Sequence, residues 1–105
     1  PEVSGLLLLA SWPGKSADLS AWGHPVLSIS ASNDGLASQA KIAASRPLLP
    51  AQSRFVEIAG GNHAQFGDYG SQEGDGAASL SGSAQRRAVT EEAIAFLDSI
   101  LAGKR

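Results

Sequence analysis

Four consecutive leucines, Leu6 to Leu9, followed by Ala10, form a segment with no polar face. A half-buried strand alternates polar and apolar residues, and an amphipathic helix repeats every three to four; this run does neither. It is apolar on both sides, the pattern of a strand inside a parallel sheet whose two faces are covered. Periodicity alone also admits a short buried helix. Pro13-Gly14 closes the segment, and the run is far shorter than the roughly 20 residues that span a bilayer. It also lacks the basic flank of a signal peptide. Val3 to Ser11 is therefore read as a first strand, of the kind that lies inside a larger sheet.

Gly14 to Gly23 is a polar connector with a turn near Asp18 to Trp22. A second strand, Val26 to Ser30, sets Val26, Ser28 and Ser30 against Leu27 and Ile29. Asn33-Asp34-Gly35 ends it with strong turn chemistry. Leu36 to Arg46 reads as a helix with a small-residue face of Leu36, Ala40, Ala43 and Ala44, stopped by Pro47. Pro50 to Ser53 turns the chain into a third strand, Arg54 to Ala59. Gly60 to Gly82 is rich in Gly and Ser without periodicity, the character of a functional or mobile loop. A last helix covers Ser83 to Ala102, with Val89, Ala93, Phe96, Leu97 and Ile100 on one stripe and Lys104-Arg105 at its C-terminus. A helix between two strands implies a right-handed parallel crossover. The fold class is α/β: a three-stranded parallel sheet with flanking helices, in one domain over 1–105. Three strands and two helices are few for a complete doubly wound fold.

Composition narrows the partners. The chain has 105 residues, 43% hydrophobic and 17% charged, with a net charge of -2. That is globular, and it offers no basic field for nucleic acid or anionic lipid. Without cysteine there is no disulfide framework and no thiolate metal site, and the compartment stays open.

Ligands of open parallel sheets sit at the carboxyl ends of the strands. The residues just past those ends are Ser11 and Trp12, then Asp34, then His63. Asp34 and His63 are separated by about one helix plus one strand. If their strands are neighbours, ~4.8 Å apart, both side chains project from one edge. The carboxylate can then hold one ring nitrogen of His63, leaving the other free as a base. Taken singly, Asp34 is an ordinary turn residue and His63 an ordinary loop histidine; together they occupy strand ends in the order acid, then base. Ser11 and Trp12 are candidates for lining a substrate pocket, with Trp12 equally suited to plugging the core.

Asn33-Asp34-Gly35-Leu36 after a strand resembles the acid turn of an alpha/beta-hydrolase. Gly60-Gly61-Asn62-His63-Ala64-Gln65-Phe66-Gly67-Asp68-Tyr69-Gly70 resembles the histidine loop of a bacterial branch of that superfamily related to dienelactone hydrolases. The resemblance runs from Gly5 to about Leu97 and implies Asp34 and His63 as two catalytic members of a triad. The family's Gly-x-Ser-x-Gly elbow has no counterpart here. Gly14-Lys15-Ser16 is the nearest serine setting, with Asp18 where the second Gly belongs. The oxyanion-hole segment is also missing. The resemblance thus implies the C-terminal part of a serine-type hydrolase acting on an ester-like small molecule, with the 105-residue chain inactive by itself.

Other motifs lead elsewhere only weakly. Gly14-Lys15-Ser16 imitates the end of a phosphate loop, but Leu9 stands where its first Gly should be. His24 and His63 are too isolated for zinc, and His24 before Pro25 is a strand-start residue. Asp68, Glu73 and Asp75 lack EF-hand spacing and read as a solvated acidic loop. No metal or organic cofactor is implied. The rival reading is a non-catalytic α/β module that binds a ligand or partner. On the hydrolase reading, the Val3 to Ser11 strand has a free edge, which is expected to pair with the N-terminal part of the protein or to self-associate.

Overall fold

The computed structural model describes residues 3–68 and 70–103; Tyr69 of the histidine loop and the basic pair Lys104-Arg105 lie outside the described residues. Three strands, β1 (Leu6–Leu9), β2 (Val26–Ala31) and β3 (Arg54–Ile58), form a parallel sheet in the order β1-β2-β3. Helix α1 (Gln39–Ser45) connects β2 to β3, and the long helix α2 (Gly82–Gly103) follows the histidine loop. This is the α/β arrangement expected of the sequence.

Every residue of β2 is buried, and β2 is the central strand. Its two faces receive different helices. Leu27 and Ile29 form a core with Ile58 and Phe96, against which Val56, Val89 and Ile100 pack. On the opposite face Ala10, Ala37 and Ile42 cluster with Phe55, and Gln39 of α1 donates from Nε2 to Ser30 Oγ at 3.0 Å. Ser30 of β2 thus faces α1, and Leu27 and Ile29 face α2.

Three sequence expectations need correction. β1 is shorter than Val3 to Ser11; it lies at the edge of the sheet, in line with the expected free edge, with Leu7 and Leu9 37% and 38% exposed. Apolarity reports what a strand can bury against, not whether a neighbour is there. Helix α1 begins at Gln39 rather than Leu36, because the Asp34 carboxylate takes the N–H groups of Leu36 and Ala37 and Ser38 caps the helix. Its buried face is Ile42 and Ser45, whereas Ala40, Ala43 and Ala44 are exposed; one isoleucine outweighs three alanines in apolar area. On α2, Phe96 is buried but Leu97, assigned to the same stripe, is 57% exposed.

The last correction has a measurable consequence. Phe96→Ala should cost about 3–5 kcal/mol, the range for truncating a buried aromatic. Leu97→Ala should change stability by about 0.5 kcal/mol or less. Urea unfolding of the two variants makes the comparison, and equal losses would return Leu97 to the core.

Candidate active site

Parallel pairing matches Ala31 with Ile58 at the ends of β2 and β3. The chain leaves both strands on the same edge, and backbone bonds hold the departing loops together: Ser32 N to Ile58 O at 3.1 Å and Asn33 N to Gly61 O at 2.8 Å. Asp34 and His63 meet above these bonds. His63 Nδ1 lies 2.8 Å from Asp34 Oδ2.

The Asp34 side chain has no exposed surface, while that of His63 is 27% exposed. A buried carboxylate needs donors. Oδ1 accepts from Leu36 N and Ala37 N, both at 2.7 Å, and Oδ2 takes the ring. The carboxylate can only accept, so the shared proton sits on Nδ1. In a neutral ring that tautomer leaves Nε2 as the acceptor. Nε2 has no hydrogen-bond partner among the described residues.

The other two candidates are not brought to this pair. Ser11 is exposed. Trp12 lines a mostly apolar cavity of about 240 Å³ with Lys15, Lys41, Ala44 and Leu48, and neither Asp34 nor His63 is in its wall. Trp12 is 38% exposed, so it does not plug the core. Ala10, just before them, has φ 51° and is buried. A left-handed alanine at a strand end is uncommon, and it sets the direction in which Ser11 and Trp12 leave the sheet.

Sequence reasoning missed the residues that hold the histidine loop. Asp75 is not a solvated acid. Its Oδ1 accepts from Gly35 N and His63 N at 3.1 Å and from Gly76 N at 2.9 Å, and its Oδ2 from Ala64 N at 2.9 Å. Burial acts to raise the Asp75 carboxyl, but these four N–H groups outweigh it and hold the group below its ordinary 3.8. Gln85 is fully buried. Its Oε1 accepts from Asn62 N and from Gln65 Nε2, and its Nε2 donates to Asn62 O at 2.8 Å. A signal existed for each. Asp75 lies between two glycines, and Gln85 lies four residues before Val89, in register with the buried face of α2.

No group of three potential ligands that could hold a metal ion occurs among the described residues. No helix among them is long and apolar enough to cross a membrane.

The lowered Asp75 pKa fixes a pH dependence. Its bonds contribute fully above 3.8, where the unfolded chain is ionised too, and the contribution is lost as pH falls through the lower folded-state value. As pH falls below 3.8, amide protection at Ala64 and His63 should therefore drop before that at Leu27 and Ile29. Hydrogen exchange across this range measures it, and simultaneous loss at all four amides would contradict it.

The family model described as "Alpha/beta hydrolase family" matches residues 1–87, which include all three strands, α1 and the histidine loop. No curated protein and no solved structure matches the chain.

Proposed function

Because the chain belongs to the alpha/beta hydrolase family, we propose that it supplies the acid and the histidine of a serine-type triad that cleaves an ester-like bond in a small molecule. The observation that carries this reading is the 2.8 Å bond between His63 Nδ1 and the buried Asp34 carboxylate, with Nε2 left without a partner among the described residues. The histidine loop supports a branch related to dienelactone hydrolases by its resemblance.

The nucleophile is a serine outside these 105 residues, since the chain contains no Gly-x-Ser-x-Gly. The chain thus acts as the C-terminal part of the catalytic domain, and the open edge of β1 is the place for the nucleophile-bearing strand. As the serine oxygen attacks the ester carbonyl, His63 Nε2 takes its proton and Asp34 stabilises the resulting imidazolium. His63 returns that proton to the departing alcohol, leaving an acyl-serine. Water then attacks the acyl group with His63 again as base, releasing the acid and restoring the serine. Ser11 and Trp12 serve as substrate-lining residues, Trp12 through the cavity it borders.

The chain alone should not hydrolyse an activated ester above background. Joined to a nucleophile-bearing segment it should, and in that protein Asp34→Asn should lower kcat by about 10⁴-fold. His63→Ala should remove nearly all activity. Turnover by the isolated chain that a serine-directed inhibitor blocks would show a nucleophile within it. A joined protein that folds but turns over no ester would favour a binding module.

A further inference from the structure

We propose that Asp75 is a positioning residue for the Asp34–His63 pair: its carboxylate ties the backbone on both sides of that hydrogen bond and so holds the His63 ring in one tautomer and orientation. Its functional consequence rests on the hydrolase reading; its structural content does not.

The geometry is specific. One Asp75 oxygen accepts from Gly35, the residue after the acid, and from the N–H of His63 itself. The second accepts from Ala64, the residue after the base. A single charged group thus joins the tips of two loops that leave different strands. The bond from Asn33 N to Gly61 O joins the same loops nearer the sheet, but it leaves His63 two residues further out.

The segment that delivers Asp75 is built to cross the acid turn. A Cβ at Gly35 would collide with Gly74 O and Gly76 N, and one at Gly76 would collide with Asn33 O. Only glycine permits these approaches. Asn33 Nδ2 donates to Ala77 O at 3.0 Å and Asn62 Nδ2 to Gly76 O at 2.9 Å, so a side chain from each loop grips the strap. Asp75 is exchangeable for neither neutral isostere nor alanine. Asparagine would turn an N–H₂ toward one of the N–H groups that now find an oxygen, and alanine would strand all four.

The link to chemistry is the tautomer. A neutral imidazole exchanges between Nδ1–H and Nε2–H forms, and only the first leaves Nε2 able to accept a proton. The Asp34 contact selects that form only while the His63 backbone stays within hydrogen-bond reach of Asp34.

The test is the ring ¹⁵N spectrum of His63 in the 105-residue chain, at a pH where the ring is neutral. Wild type should give the Nδ1–H signature. Asp34→Asn, which alters the acceptor itself, sets the scale of full loss. Asp75→Asn and Asp75→Ala should both move the ring toward a mixture of tautomers. Exchange at His63 and Ala64 should then be about tenfold faster or more, as for a local opening, with Leu27 and Ile29 as protected as in wild type. If Asp75→Ala does not fold, the closer isostere Asp75→Asn decides. A wild-type ring signature in Asp75→Asn overturns the proposal, whatever the amides do. Ester hydrolysis plays no part in this measurement, so failure of the hydrolase reading and failure of this inference are separate results.

Discussion

A carboxylate with no exposed surface has to be satisfied by its surroundings, and Asp34 organises the C-terminal edge of the sheet around that requirement. Three donors converge on it: two amides from the turn before α1 and the ring of His63. The first two come from neighbouring residues and shorten the helix at its start. The third comes from another strand, so it exists only if β2 and β3 are parallel neighbours in the observed register. A shift of one residue along β3 would move His63 by about 3.3 Å, more than a hydrogen bond tolerates. The buried charge and the strand pairing therefore constrain each other.

Around this pair the polar groups follow a consistent rule. The polar side chains of the loop cluster serve backbone groups that sheet and helix leave unpaired. Asp75 serves four amides, Gln85 the N–H and C=O of Asn62, and Asn33 and Asn62 the carbonyls of the strap. A loop without periodic structure must find such partners or stay hydrated. Here it finds them, and the histidine loop becomes an ordered surface for His63.

The sequence made part of this legible. β2 and β3 could be read from their alternation, and Asp34 and His63 from turn chemistry at strand ends. The edge position of β1 follows from the absent nucleophile segment and not from the strand itself, because four leucines look alike with a neighbouring strand on one side or two. The buried face of α1 was misread because counting small residues gave three alanines more weight than Ile42. Leu97 failed for a related reason: α2 covers the sheet with a narrow stripe centred on Phe96, and a wide stripe drawn on the sequence includes residues that face solvent. Asp75 and Gln85 leave only faint signs, the flanking glycines and the helix register, because most of their partners are backbone amides and carbonyls, which every residue carries.

The division of labour within the fold bears on the proposed chemistry. Acid, base and the side chains that hold them lie on β2, β3, their loops and the first turn of α2. Two of the three bonds to Asp34 are to amides within three residues of it, and Asp75 is bonded to the backbone of both loops. The desolvation of the acid is thus met inside this unit, with no donor required from a nucleophile strand. On the hydrolase reading, such a strand has only to bring a hydroxyl to Nε2. A preformed acid–base pair costs little reorganisation when the proton moves, which is where preorganised sites gain their rate.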